Sequence, residues 1–220
     1  MTKIAFIGAG NMNGAIISGL IKKGFDATQV MVSNPSPEKR LALHQNLGIL
    51  HTDNNIEAAN FADTIVLGVK PHLITTVCAE ISQHIDITNK CFISIAAGCT
   101  VVQMQDALAK SCSIIRTMPN TPSQIGLGVT GLYSACGVSE AQKQVAQELM
   151  SSVGIIKWLA CEEEIDNIIA VSGSAPAYFF LFMEAMEQQA LTLGFTAQES
   201  RELVQQTALG AAQMVVQNQI

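Results

Sequence analysis

Aromatic residues supply only 5% of this 220-residue chain, so aliphatic side chains must carry its core. Charge is scarce as well, at 14% against 49% hydrophobic residues with a positive mean hydropathy, which excludes a disordered chain. Basic residues are scarcer still. Twelve Lys plus Arg face eighteen Asp plus Glu, the net charge is −6, and no basic cluster forms a phosphate-tracking stripe, so no nucleic-acid partner is expected. Uninterrupted apolar runs are short, Ile65 to Val69 being typical, and none reaches the ~18 residues of a membrane span. A soluble protein with no membrane partner is expected. The six cysteines (Cys78, Cys91, Cys99, Cys112, Cys136, Cys161) include no C-x-x-C pair, which predicts small buried thiols and no metal site. Met1-Thr2-Lys3 runs straight into the strand-like Ile4-Ala5-Phe6-Ile7, without the charged and apolar regions of a leader, and a cytoplasmic location is expected.

What the chain does contain is an alternation of β-branched runs and helical periods. Strands are predicted at Lys3 to Ile7, Val30 to Ser33, Thr64 to Val69, Phe92 to Ala96, Ser113 to Thr117, Val129 to Ser134 and Ile155 to Leu159. Continuous apolar runs such as Ile65-Val66-Leu67-Gly68-Val69 fit strands covered on both faces. The pattern predicts an α/β fold, a Rossmann-type doubly wound, mostly parallel sheet over residues 1–160. After Leu159 the strand signal stops, and an all-helical domain is expected over 161–220. Helix starts are marked by Ser36-Pro37-Glu38 and by capping-box spacing at Ser139 to Gln142 and Thr196 to Glu199. In the last helix Leu203, Val204, Thr207, Ala208, Ala211, Met214 and Val215 recur at three-and-four spacing; a partner subunit or the first domain is expected to cover them.

The first strand feeds Gly8-Ala9-Gly10-Asn11-Met12-Asn13-Gly14 and then a helix. In a dinucleotide-binding turn the first glycine permits the bend and the second lets backbone amides approach a pyrophosphate at the positive helix end, and Gly8 and Gly10 fit those places. Asn13 stands where a small residue is usual. The second strand ends Val32-Ser33-Asn34 with no carboxylate to repel a 2′-phosphate, while Ser36, Lys39 and Arg40 follow, so NADP is favoured over NAD. Gly68-Val69-Lys70-Pro71, Ala96-Ala97-Gly98 and Arg116 to Pro122 end strands on the same sheet edge, where ligands gather in such folds.

Together these segments resemble the pyrroline-5-carboxylate reductase family. The resemblance rests on Ile7 to Met12, Val69-Lys70-Pro71, Ile95 to Gly98, Met118-Pro119-Asn120-Thr121-Pro122 and Val171 to Tyr178, in the family's order. It implies reduction of 1-pyrroline-5-carboxylate to L-proline by NADPH, with NADH as a second donor, in a homodimer or a higher oligomer built from dimers. It implies cofactor contacts at Ile7, Gly8, Gly10, Asn11, Met12, Asn34, Ser36, Asn55, Gly68, Val69, Lys70, Pro71, Ala96, Ala97 and Gly98, with Pro119 and Asn120 toward the substrate. Two positions depart from the family pattern, Asn13 and Ala175, both usually smaller. The family's Ser-Pro-Gly-Gly-Thr-Thr type segment, which holds the substrate, is expected beyond Ile220, so catalytic residues are not assigned within this chain.

A protonated cyclic imine is already electrophilic and needs little acid catalysis beyond orientation. None of His44, His51, His72 and His84 lies in a motif with a carboxylate. Two rivals remain open: a 3-hydroxy acid dehydrogenase-like NADP enzyme, for which the relay lysine early in the helical domain is missing after Lys157, and a non-catalytic NADPH-binding protein. Within Tyr178 to Phe182 a core position is expected for the tyrosine, and Glu162-Glu163-Glu164 is expected to match a helix dipole.

Overall fold

The computed structural model describes residues 2–218. The chain runs β1 (Ile4–Ile7), α1 (Asn11–Lys22), β2 (Val30–Ser33), α2 (Pro37–Leu47), β3 (Leu50–Thr52), α3 (Asn55–Phe61), β4 (Thr64–Leu67), α4 (Ile74–His84), β5 (Cys91–Ser94), α5 (Val101–Leu108), β6 (Ser113–Pro119), β7 (Gly128–Ser134), α6 (Glu140–Ser151), β8 (Gly154–Trp158) and α7 (Glu164–Ile168). A π turn, Ile169–Gly173, leads into α8 (Ala175–Thr192) and α9 (Ala197–Asn218). The sheet order is β3-β2-β1-β4-β5-β6-β7-β8, with β7 antiparallel to β6 and the other pairs parallel. The first six strands have the doubly wound arrangement, whose strand order reverses between β1 and β4.

Every residue of β1, β2, β4 and β5 is buried, as their unbroken apolar runs require when helices cover both faces. Alternate side chains sort the core into two layers. Ala5, Ile7, Ile65, Leu67 and Phe92 pack with α4 and α5 residues such as Ile81 and Met104, while Ile4, Phe6, Val66 and Ile93 pack with Ile16 and Ile17 of α1 and Leu149 of α6. Each fully buried Phe or Ile contributes roughly 1.5–3 kcal/mol, so this sandwich is what holds the sheet edge in place.

β3 was not foreseen. Its three residues are too few to show a period, and Leu50 is exposed, so pairing with β2 rather than burial makes it a strand. The capping boxes at Ser139/Gln142 and Thr196/Glu199 form as expected, and Thr100/Gln103 adds another. Ser36 does sit at the N-cap of α2, but its hydroxyl makes no capping bond.

Cys78, Cys91 and Cys99 are buried and Cys112 is half-buried, whereas Cys136 and Cys161 are exposed, contrary to the expectation of uniformly buried thiols; both lie in loops outside the packed layers. Burial pushes the Cys78 and Cys91 thiols up to about 12 and that of Cys112 to about 11. A thiol-specific disulfide reagent at pH 8 is therefore expected to modify Cys136 and Cys161 within minutes. Cys78, Cys91 and Cys112 should react only after denaturation, which mass spectrometry of the labelled peptides reads directly.

Two compact units divide at Gly173–Ser174. This lies past the expected boundary at 160/161, because α7 packs on the sheet, where the bare Gly131 of β7 leaves no room for a Cβ against Ile168. The second unit is α8 packed with α9, joined through Gly194 at φ +97°. No residue of α8 is buried in the single chain, and Tyr178, Phe179, Phe180, Leu181 and Phe182 are all more than 60% exposed. That corrects the expected core place of Tyr178: a two-helix unit cannot enclose apolar side chains that point in every direction around one helix. Leu203, Met214 and Val215 are exposed as well, and Val204 is buried. By length and composition alone, with mean hydropathy 1.4, the helical stretch Glu164–Thr192 could cross a membrane. Ser172, Ser174 and Glu184 interrupt the stretch, so it contains no continuous apolar run of that length.

Candidate functional site

The site begins where β1 ends. Ile7 is fully buried, and the chain turns at Gly8, whose φ of +97° is accessible to glycine at little cost. A Cβ on Gly8 would lie 2.9 Å from the Gly68 carbonyl oxygen, so the turn is packed directly against the end of β4. The Gly8 amide donates to the Ser33 carbonyl at 2.7 Å, and Gly68 donates to the Ile7 carbonyl at 2.9 Å. Gly10 is the N-cap of α1, with no side-chain cap and no acidic residue in the first turn. The first amides of α1 are thus left without a side-chain acceptor at the positive end of a twelve-residue helix, beside the bare glycine turn; Asn11 is exposed there and Met12 half-buried. A diphosphate fits this arrangement chemically, because it needs amide donors and no competing carboxylate.

Asn13 is completely buried directly behind the turn. Its Nδ2 donates to the Gly8 carbonyl at 2.7 Å and, more weakly, to the Ile7 carbonyl at 3.4 Å, while its Oδ1 is buried without a partner. An unsatisfied buried acceptor of this kind costs about 1–3 kcal/mol.

At the end of β2 the carboxamide of Asn34 is engaged on both sides. Its Oδ1 accepts from the Ala9 amide at 3.1 Å and its Nδ2 donates to the Ser36 carbonyl at 3.0 Å, so Asn34 braces the glycine turn from the neighbouring strand. Arg40 donates through Nη1 to the Asn34 and Pro35 carbonyls, and its Nη2 lies 3.6 Å from Asp53. Asn55 accepts from Ser33 Oγ at 2.6 Å. Ser36 and Lys39 are exposed, and among the described residues neither side chain has a hydrogen-bond partner. The region thus keeps one hydroxyl and one ammonium group open to a ligand.

The segments after β4 and β5 lie on the same edge. Gly68 and Val69 are half-buried, Lys70 and Pro71 exposed; Ala96 is buried, while Ala97 and Gly98, the latter at φ +74°, are exposed. At the end of β6, Pro119 and Asn120 are buried, and both ends of the Asn120 carboxamide are taken: Nδ2 donates to the Ser172 carbonyl at 3.0 Å and Oδ1 accepts from the Val129 amide at 2.9 Å. Asn120 therefore fastens the π turn to the sheet. Sequence reasoning missed a buried ion pair below this edge. Arg116 of β6 meets Glu162 at 2.8 Å, and the same Oε1 accepts the Val101 amide at the start of α5, also at 2.8 Å. Glu162 was expected only to match its own helix; it holds the start of a different one. A lone charged residue within a largely buried strand, Arg116 after Ile114-Ile115, is the signal for the pair.

The strand order and the uncapped glycine turn define the dinucleotide-binding class of doubly wound α/β proteins. Residues 3–98 match the family model described as NADP oxidoreductase, coenzyme F420-dependent, and residues 162–220 match that described as pyrroline-5-carboxylate reductase dimerisation. The pyrroline-5-carboxylate reductase of Vibrio alginolyticus is 52% identical over 216 residues, which cover 98% of this chain and 79% of that protein. The structure of a Coxiella burnetii pyrroline-5-carboxylate reductase is 41% identical, with a TM-score of 0.92 over 98% of this chain and 80% of that one. That of the Plasmodium falciparum pyrroline carboxylate reductase, solved with NADP bound, is 28% identical, with a TM-score of 0.85 over 97% of this chain and 78% of that one. The chain belongs to the pyrroline-5-carboxylate reductase family.

Proposed function

We propose that this chain reduces 1-pyrroline-5-carboxylate to L-proline with NADPH, in the cytoplasm and as a homodimer or an assembly of dimers. The observation that carries the reading is the uncapped start of α1 behind a glycine turn packed on Gly68, in a chain of this family. NADPH, when bound, supplies the hydride that the C=N carbon accepts.

The residues of the chain supply place and charge. Gly10, Asn11 and Met12 present backbone amides to the diphosphate, while Gly8, its own amide on the Ser33 carbonyl, shapes the turn and Ile7 ends the strand that carries it. Ser36 and Lys39 offer a hydroxyl and an ammonium group to the 2′-phosphate, with Asn34 and Arg40 fixing the turn on which they stand and Asn55 closing its far side. Gly68 to Pro71 and Ala96 to Gly98 border the nicotinamide, where small residues let a flat ring approach backbone. Pro119 and Asn120 face the substrate side. Asn120 holds the π turn there, with one N–H on the Ser172 carbonyl and its oxygen on the Val129 amide, which fixes the direction of its second N–H. The imine nitrogen carries its proton from solution, so orientation, not a general acid, is what these residues contribute. Helices α8 and α9 bury their exposed aromatic and aliphatic faces on a second copy, as the matched dimerisation model suggests.

The test is loss of reduced-nicotinamide absorbance on mixing the chain with 1-pyrroline-5-carboxylate and NADPH, with an NADH arm. It is run in parallel on the chain fused to the part of the Vibrio relative that the match does not cover. Oxidation with proline formed at one equivalent supports the proposal; NADPH bound but not oxidised by either protein overturns it. The 2′-phosphate assignment carries its own expectation. Ser36→Asp keeps a good N-cap for α2 but adds a negative charge, so the NADPH KM should rise about tenfold while the NADH KM stays within about twofold.

A further inference from the structure

We infer that Asn13 is a positioning residue for the dinucleotide, acting through the Gly8 carbonyl, and that Gly68 is bare in order to admit it. In the usual turn the third small residue lies on the helix and lets helix and strand approach. Here the side chain is on the helix and the bare position is on the strand end. A Cβ on Gly68 would lie 2.3 Å from Asn13 Nδ2, 2.5 Å from Cγ and 2.6 Å from Oδ1, so the carboxamide lies flat against the Gly68 Cα. From that seat Nδ2 reaches the Gly8 carbonyl at 2.7 Å, and the peptide that Gly8 begins is held from behind. The Ala9 amide of the same peptide is held by Asn34 at 3.1 Å. Both polar groups of the Gly8–Ala9 peptide are thereby pinned by side chains, one on α1 and one after β2, and the next amides are those offered to the diphosphate. The unpartnered Oδ1 shows that the carboxamide is oriented by its donor and not by a balanced network.

This inference rests on the NADPH reading above, and its test separates the two. The full chain is prepared as wild type, Asn13→Ala, Gly68→Ala and the double variant, in which the new Cβ at 68 refills the volume of the lost carboxamide without restoring its donor. NADPH affinity is measured by the fluorescence of the bound nicotinamide, and affinity for adenosine 2′-phosphate, which has no diphosphate, by calorimetric titration. Thermal melting monitors the fold. Asn13→Ala and the double variant are each expected to raise the NADPH Kd about tenfold with adenosine 2′-phosphate binding unchanged, and Gly68→Ala alone, which expels the carboxamide, to be the worst of the three. Wild-type NADPH affinity in Asn13→Ala or in the double variant, or equal weakening of both ligands, overturns the positioning role. Failure of the wild type to bind NADPH overturns the cofactor reading itself, and this inference with it.

Discussion

Replacing Gly8 by alanine is expected to abolish useful NADPH binding, raising the Kd by about a hundredfold or more while the sheet stays folded. Two costs add at this position. At φ +97° an L side chain is strained, and its Cβ would stand 2.9 Å from the Gly68 oxygen, 3.1 Å from the Gly68 carbonyl carbon and 3.3 Å from Val69 Cγ1. Two of those three atoms are backbone, so the relief must come from the turn, which would move away from β4 and carry the α1 amides with it. Each 1.4 kcal/mol of lost interaction is a factor of ten in affinity, and a displaced amide cradle loses several such contacts. Fluorescence titration with NADPH, alongside circular dichroism of the melting transition, checks the expectation. Binding within threefold of wild type would show that the turn does not hold the dinucleotide.

Arg116→Met should cost about 3 kcal/mol of stability, read as a lowered denaturant midpoint at unchanged slope. The Arg116 side chain is 7% exposed and that of Glu162 20% exposed, so removing the guanidinium strands a carboxylate that is largely withdrawn from water. The loss falls at the low end of the range for broken buried pairs because Glu162 keeps the Val101 amide. Glu162→Gln is expected to cost less, about 2 kcal/mol, since the amide oxygen still accepts from Val101 but Arg116 keeps an unmatched charge. The double variant Arg116→Met/Glu162→Gln should fall well short of the sum, because no charge is then left unpaired. Simple additivity would contradict the pairing.

The sheet and its glycine turn were legible because their signals are local. Continuous apolar runs such as Ile65 to Val69 and the close spacing of Gly8 and Gly10 say what the backbone must do without reference to distant residues. β3 was not legible, since Leu50-His51-Thr52 is a strand only by virtue of its neighbour. The candidate site was legible as a set of places and much less as a set of roles. The resemblance puts Asn34 and Asn120 against ligand, and in the fold each carboxamide also bonds an amide and a carbonyl of the chain, contacts that only the fold creates. Arg116 and Glu162 lie far apart in sequence, and no spacing rule connects them. The exposure of Tyr178 to Phe182 escaped notice for the opposite reason: an aromatic run reads as core whether its own chain or another covers it.

The most direct measurement is transfer of label from NADPH deuterated at nicotinamide C4 on the donated face, incubated with 1-pyrroline-5-carboxylate and either the chain or its extended fusion. If the account is right, mass spectrometry finds one deuterium in each proline, on the ring carbon that was doubly bonded to nitrogen. Proline without label, or no proline while NADPH remains bound, would contradict it.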